Sequence, residues 1–451
     1  MAELTIYRGT HQIGGCCTEI IADGERILID LGANLPDSDA PIRDDELIAK
    51  AFDGRPAVGL LFTHPHGDHY GLYKKVPPNV PMYIGPMAKE ILEILVSRLD
   101  YVSEEKGLPQ VQRMLTYKAG KEMGAFRNIQ VTPLYVDHSA PDAHMFFIQV
   151  AGKKILYSGD FREHGIVGER NRLWRTMIGY VRKYAPKGID LLITEGTMLS
   201  RETKTGPDFV QTEEELGQRA EHYFHQHKYN FVLVSSTNLD SIMEFYHHTP
   251  KGMSFVCDAY QAEVILTAMR GMERKGIFPQ YQRSDNHPFI RVLNGGYRLR
   301  NLRGLGASLQ KPVGIEPAPD DILRRDGFVM LVRKNSNPDP EYKSVFEEMR
   351  DEFYPLDGQI IYSMWNGYLK PEHADQALLD YIGDRRPVHL HTSGHAYAET
   401  IARLIETVRP RVVIPMHTEK ADEFTSIPAF TDYRDRVKVL QDGEKCPLDQ
   451  L

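Results

Sequence analysis

Ala57-Val-Gly-Leu-Leu-Phe-Thr63 runs directly into His64-Pro-His66-Gly-Asp68-His69. The first seven residues read as a buried apolar strand, and the next six hold four strong metal ligands. On an extended segment, side chains two apart share a face, so His64 and His66 can meet one ion. Gly67 lets the chain turn, after which Asp68 and His69 face a second centre. A polar turn that happens to hold histidines is the bland alternative, but it does not account for so long a ligand run at a strand end.

Upstream, Glu3–Arg8 alternates as a strand, and Thr18–Ala22 and Arg26–Leu31 flank the Asp23-Gly24 turn as a hairpin. Gly24-Glu-Arg-Ile-Leu-Ile-Asp30 has an echo in Gly152-Lys-Lys-Ile-Leu-Tyr-Ser-Gly-Asp160. Each is a turn, an apolar strand and an aspartate at its end. Two such halves predict two packed sheets with helices outside. Ala88–Leu99 has helical spacing, Leu134–His138 reads as a strand ending in a polar turn, and Asp190–Thr194 is a buried strand reaching Glu195.

After a polar linker at Leu199–Gln211 the pattern changes. Thr212-Glu-Glu-Glu215 reads as a capping box opening a helix to about His227. Strands at Phe231–Ser235, Ser254–Cys257 and Gln359–Met364 alternate with helices at Leu239–His247 and Ala259–Met272, the signature of a parallel sheet. Val388–His391 and Val412–Pro415 then resemble the strands of the first part. The expected organisation is an α/β domain over 206–384 inserted into a sandwich domain formed by 1–205 and 385–451.

Composition sets the limits. A chain of 451 residues with 41% hydrophobic and 26% charged residues is an ordinary globular protein. No apolar run is long enough to cross a bilayer, and the N-terminus shows no secretory pattern, so no membrane partner is expected. Cys16, Cys17, Cys257 and Cys446 lack zinc-finger spacing and suit free thiols in a cytoplasmic protein. Cys16 and Cys17 are adjacent, point to opposite faces of a strand, and read as small buried hydrophobes. The net charge of −8 runs against the basic surface usual in nucleic-acid binders. Two bound dications would offset about four negative charges locally.

The His64–His69 cluster resembles the H-x-H-x-D-H signature of the metallo-β-lactamase superfamily. Asp30 in Ile-Leu-Ile-Asp-Leu-Gly, His138 in Asp-His-Ser and Asp160 in Ser-Gly-Asp-Phe-Arg resemble its further motifs in order. Leu-Leu-Ile-Thr-Glu195-Gly-Thr, Thr-Ser-Gly-His395-Ala and Pro-Met-His417-Thr-Glu resemble motifs A, B and C of the β-CASP nuclease branch, with Ser393-Gly394-His395-Ala396 similar to the ribonuclease J form. The resemblance runs from Gln12-Ile-Gly-Gly to Glu419. It departs from ribonuclease J at His417-Thr418-Glu419, and at Ser363-Met-Trp-Asn-Gly-Tyr368, where that family carries a glycine-rich stretch.

The resemblance implies an αββα sandwich with an inserted β-CASP-like domain. It implies one metal on His64, His66, His138 and Asp160, and another on Asp68, His69, Asp160 and His417, with Asp30 as structural support. Two zinc ions per chain are expected, with manganese as the alternative. A histidine at the motif C position goes with RNA in that branch. The implied reaction is exo- or endonucleolytic cleavage of RNA by a hydroxide shared between the metals, giving 5′-phosphate and 3′-hydroxyl ends. Asp68 joins Glu195 and His395 as the catalytic set, with His395, held by Glu195, the acid for the leaving oxygen. Ser235 and Asn238, before a helix, suit a phosphate seat, and Ser393, Arg298 and Arg300 complete the expected RNA contacts. A homodimer is an open expectation.

Two other classes compete. A small-molecule phosphodiesterase or esterase of the same superfamily shares the cluster but needs no Glu195, His395 and His417 set. A non-catalytic RNA-binding protein is expected to lack a ligand, and each ligand position is filled. His222, His225 and His227, near one helix end, suit a solvated helix terminus better than a third metal site.

Overall fold

The computed structural model describes residues 2–450 except 36–40, 56, 102, 170–171, 202–208, 277–288, 336 and 338–341. The chain divides into two compact units, Met1–Thr203 with Gly394–Leu451, and Lys204–Ser393. The boundary expected at 205/206 lies outside the described residues.

The first unit starts from the predicted hairpin. Cys17–Ala22 and Glu25–Ile29 pair antiparallel with Ala22 opposite Glu25. Asp23 and Gly24 both take positive φ (48° and 81°), the tight-turn geometry that matches strand twist. These strands lie in a seven-stranded sheet ordered Lys445–Pro447, Ala2–Arg8, Cys17–Ala22, Glu25–Ile29, Gly59–Leu61, Met82–Ile84, Leu115–Thr116. A second sheet is ordered Val412–Pro415, Leu191–Thr194, Lys153–Tyr157, His144–Val150, Ile129–Tyr135.

Period-two alternation makes the sandwich. Ile27 and Ile29 enter one core with Ile155, Tyr157, Ile193 and Ile414 of the other sheet. Leu28 faces away, into a second core with Leu47 of helix Asp44–Ala51 and Ala88 and Leu92 of helix Pro86–Leu99. Cys16 falls in the first core and Cys17 in the second, as adjacent residues on a strand must. On the outer face of the second sheet Phe147 meets Tyr180 of helix Arg172–Tyr184, their rings 5.6 Å apart. The layers are helix, sheet, sheet, helix. Each fully buried aliphatic or aromatic side chain contributes roughly 1.5–3 kcal/mol.

The predicted strand Leu134–His138 stops earlier, at Tyr135. Asp137 leaves the ladder because its carboxylate accepts from the Gly165 amide (2.8 Å) and Arg162 Nε (3.3 Å), which places His138 on a turn.

The second unit is a seven-stranded, all-parallel sheet ordered Ile315–Pro317, Ile290–Leu293, Ser254–Asp258, Phe328–Val332, Tyr229–Val234, Gly358–Ser363, Val388–His389. Burial on both faces explains continuous apolar runs such as Phe231-Val232-Leu233.

Three details differ from expectation. Val388–His389 pairs with Gly358–Ser363 in this sheet rather than joining the strands of the first unit. Thr212 does cap helix Glu213–Phe224 by accepting from the Glu215 amide. Glu215, however, reaches the Gln211 amide (2.8 Å) rather than that of Thr212, so the reciprocal bond falls one residue earlier. The Asn294–Gly304 stretch, whose glycines among basic and aromatic residues read in sequence as a base-stacking loop or a solvated surface hairpin, is neither. A short turn, Gly296–Arg298, leads into helix Leu299–Ala307, because Leu302 and Gly306 give it a buried face against Ile315.

Among the described residues, no helix is long and apolar enough to cross a membrane.

Candidate metal centre

The centre lies wholly in the first unit, at strand ends of both sheets. His64, His66, Asp68 and His69 follow Gly59–Leu61; Asp160 follows Lys153–Tyr157; Glu195 follows Leu191–Thr194; His417 follows Val412–Pro415. Strand ends leave side chains clear of the ladder, which is why the ligand types gather there. Gly32 makes room: a Cβ on it would lie 1.7 Å from the Asp68 carbonyl oxygen. Any side chain there would push the His66–His69 turn away.

Asp30, fully buried with φ of +59°, is the hub beneath the turn. Its carboxylate accepts from the Thr63 amide (2.8 Å), the Thr63 hydroxyl (2.9 Å) and Nδ1 of His69 (2.9 Å). With the proton on Nδ1, Nε2 of His69 is the nitrogen that faces the centre. His138 is fixed the same way, its Nδ1 donating to the Gly394 carbonyl. Thr63 Oγ1 lies 3.0 Å from His64 Nδ1, and Thr197 Oγ1 2.7 Å from His417 Nδ1. Partners on the outer nitrogen are what orient histidines toward a metal.

The inward atoms are short of partners. Nε2 of His64, Nε2 of His69 and both carboxylate oxygens of Asp160 are buried with no hydrogen-bond partner. Buried polar atoms are nearly always satisfied, so four converging exceptions fit a cation-binding site. His64, His66, His138 and Asp160 each present an atom, all within 4.8 Å of one another. His66 Nδ1 and His138 Nε2 are 3.2 Å apart, close to the roughly 3.3 Å edge of a tetrahedron with zinc–nitrogen bonds near 2.05 Å. On the other side His417 Nε2 is 3.2 Å from Asp68 Oδ2, and His69 Nε2 is 3.2 Å from Asp160 Oδ2. Cys16, His69 and His417 form a further cluster within 4.8 Å.

Charge follows this geometry. Burial drives the imidazoles of His64 and His138 well below the usual histidine range, and His66 down to about 4. Neutral imidazole is the ligating form. Burial also opposes charge on His69 and His417, but neighbouring carboxylates, Asp160 first, outweigh it and raise both. Asp160 is held well below the carboxylate range despite burial, chiefly by His417 and His69. Asp68 is lowered too, chiefly by His69. Positive charge on His69 and His417 would balance these carboxylates, and a bound cation would take over that role.

Beside the cluster stand His395 and Glu195. His395 Nδ1 is 3.1 Å from Glu195 Oε2 and 3.5 Å from Asp160 Oδ2. Glu195 is buried and does more than pair with a histidine. One oxygen accepts from the Phe161 and Ala396 amides (3.0 and 3.2 Å), and the other takes the Thr197 amide (3.3 Å) together with His395. It thus ties the segments carrying Asp160, Thr197 and His395 to one point.

The remaining expected residues, Ser235, Asn238, Arg298, Arg300 and Ser393, belong to the Lys204–Ser393 unit. Ser235 Oγ bonds Thr237 Oγ1 at 3.1 Å, Arg298 lies 3.8 Å from Glu263, and Arg300 is exposed. Sequence reading missed Thr63 and Thr197, which orient His64 and His417. Each sits inside a motif that was read only for its charged residues.

Known proteins bear on this constellation. Residues 15–196 match the metallo-beta-lactamase superfamily, and residues 386–425 match the Zn-dependent metallo-hydrolase RNA specificity domain. The chain is 25% identical over 226 residues to a ribonuclease J of Methanocaldococcus jannaschii, covering 46% of this chain and 48% of that protein. It is 20% identical over 446 residues to a ribonuclease J of Pyrococcus abyssi, covering 93% and 90%. The aligned part thus spans about half of the first relative's length and nine-tenths of the second's. A crystal structure of a protein of unknown function from Enterococcus faecalis superposes with a TM-score of 0.69 at 22% identity, over 99% of both chains, a likeness of fold. By these matches the chain carries a metallo-β-lactamase superfamily domain over residues 15–196 and a Zn-dependent metallo-hydrolase RNA specificity domain over residues 386–425, and both contain residues of the candidate metal cluster.

Proposed function

We propose that this protein is a metal-dependent ribonuclease that hydrolyses RNA phosphodiester bonds at a two-metal centre. The observation that carries the reading is the placement of the Glu195–His395 pair 3.5 Å from Asp160, beside a cluster of imidazole and carboxylate atoms. A metal cluster alone serves many hydrolases. A carboxylate-held histidine beside it serves a reaction whose leaving oxygen needs a proton. The relatives that match over most of the chain bear the name ribonuclease J, which is consistent with RNA as substrate.

His64, His66, His138 and Asp160 would hold one ion, and Asp68, His69, Asp160 and His417 the other. The donor set suits zinc, with manganese as the alternative. When bound, two such cations supply Lewis acidity that deprotonates water near neutral pH and neutralises charge on the phosphate oxygens. The chain's own residues do the rest. Asp30, Thr63, Thr197 and the Gly394 carbonyl fix imidazole orientation, so the ligands need no reorganisation during reaction. Glu195 accepts a hydrogen bond from Nδ1–H of His395, which leaves Nε2–H to give its proton to the departing 3′ oxygen. Water attacking phosphorus in line with that oxygen leaves a 5′ phosphate and a 3′ hydroxyl.

The test is product analysis on an end-labelled RNA. New 5′-phosphate and 3′-hydroxyl termini, abolished by EDTA, are expected. Cyclic-phosphate ends, or hydrolysis of small esters with intact RNA, would refute the proposal.

A further inference from the structure

Among the described residues, Cys16 is the one cysteine that stands in a cluster of ligand types. Its sulfur and one ring nitrogen each of His69 and His417 lie within 4.8 Å of one another. Backbone bonds fix it there. The Cys16 amide donates to the Asp68 carbonyl (3.1 Å), and the Cys16 carbonyl accepts from the Gly32 amide (3.0 Å). The His417 amide donates to the Gly9 carbonyl (2.6 Å), which brings His417 to the same place. Gly9, with φ of +114°, leaves the sulfur its space, since a Cβ there would lie 3.2 Å from it.

The two histidines give an independent sign of a ligand. Both are only 1% exposed. Asp30 takes Nδ1 of His69, and its Nε2 is buried with no hydrogen-bond partner. Thr197 Oγ1 takes Nδ1 of His417, and the two rings stack with centroids 5.0 Å apart. Cys16 belongs to the core between the two sheets, so its sulfur reaches these imidazoles from the interior. Asp68, whose side chain is 15% exposed, is the neighbour of His417 Nε2 on the more open side (3.2 Å).

Burial alone fits the bland reading of Cys16 as a small hydrophobe, the role Cys17 keeps in the second core. The paired histidines are what separate the two cysteines. Around one tetrahedral zinc, a sulfur and a nitrogen stand roughly 3.5 Å apart, given bonds of about 2.3 and 2.05 Å. Thiolate is a soft ligand that suits zinc, whereas manganese favours carboxylate, carbonyl and water. A sulfur at this position therefore bears on which metal the centre selects.

We propose that Cys16 supplies a thiolate ligand to the ion at His69 and His417, exchanging its thiol proton for the cation, and makes that position prefer zinc to manganese; this rests on the two-metal reading above. The test loads chelator-stripped protein with cobalt(II) and records metal content and spectrum. Wild type should bind about two cobalt ions per chain and show a near-ultraviolet thiolate-to-cobalt charge-transfer band. Cys16→Ser should lack that band. Thermal unfolding checks that the variant folds; if it does not, the wild-type spectrum decides, because no other cysteine shares a ligand cluster. Zinc and manganese titrations give a second readout. Losing a group that merely orients a ligand costs about 10–100-fold in metal affinity, and losing a ligand should cost no less. Cys16→Ser should show that loss for one of the two zinc ions and a smaller one for manganese. Cobalt bound without the band, a band that survives in Cys16→Ser, or equal losses of zinc and manganese would overturn the inference while leaving the two-metal centre intact. Failure of wild type to bind cobalt, zinc or manganese would overturn both.

Discussion

Replacing His395 with alanine separates proton transfer from metal binding. Its Nδ1 lies 3.1 Å from Glu195 and 3.5 Å from Asp160, in a cluster with Asp160, Glu195 and His417, but it is none of the seven proposed metal ligands. The variant should therefore keep its metal content. A general acid is worth about 10²–10⁴-fold in rate, which is about 2.7–5.4 kcal/mol of barrier at about 1.36 kcal/mol per tenfold. Loss of that size is expected in single-turnover cleavage of RNA. A nitrophenyl phosphodiester has a leaving group acidic enough to depart without a proton, so His395→Ala should cost much less there. Metal analysis of the same preparations checks that Asp160 still holds its ions. If both substrates suffer equally at full metal content, His395 is binding phosphate or ordering Asp160, and its role as acid is refuted.

Asp160→Ala should lose both ions by elemental analysis, because Asp160 stands in both ligand sets, whereas His417→Ala should chiefly weaken one; equal metal loss in the two variants would contradict this. Glu195→Gln should lower thermal stability as well as activity. Each carboxylate oxygen accepts from two donors, so the amide turns its NH₂ on two of them, at about 1–3 kcal/mol for each buried donor left unmet; an unchanged unfolding midpoint would count against the hub. Chelator-stripped protein should lose stability as pH falls from 6.5 to about 4. In that window the unfolded chain takes up protons that His66, held down by burial, refuses, with His64 and His138 acting in the same sense. His69 and His417, raised instead, stay charged in both states there. Denaturant midpoints across the window measure it, and a flat or rising trend toward acid would be inconsistent.

Local pattern carried much of this architecture. The Asp23-Gly24 turn, the period-two alternation of Ile27, Leu28 and Ile29, and the ligand run after Leu61 are all short-range features, and they fix the hairpin, the two cores and the gathering of His64, His66, Asp68 and His69. What escaped the sequence depends on partners far along the chain. His138 sits on a turn because Asp137 meets Gly165 and Arg162. Val388–His389 joins the inserted sheet because Gly358–Ser363 offers it an edge, and no property of two residues announces that. The Asn294–Gly304 stretch hid a helix because Gly295, Gly296 and Gly304 suggested a loop, while the burial of Leu302 and Gly306 decided otherwise. Glu195 was legible as a partner for His395, but its amide donors at Phe161 and Ala396 lie 34 and 201 residues away.

The central claim is that RNA cleavage depends on two ions in this cluster. It is tested most directly by stripping the protein with chelator, returning zinc or manganese in steps, and following both bound metal and cleavage of a labelled RNA. Activity should be absent in the stripped protein, rise with metal, and saturate at about two ions per chain, with matched DNA cut far more slowly. RNA cleavage that survives stripping, or a fully loaded protein that leaves RNA intact, would contradict the account.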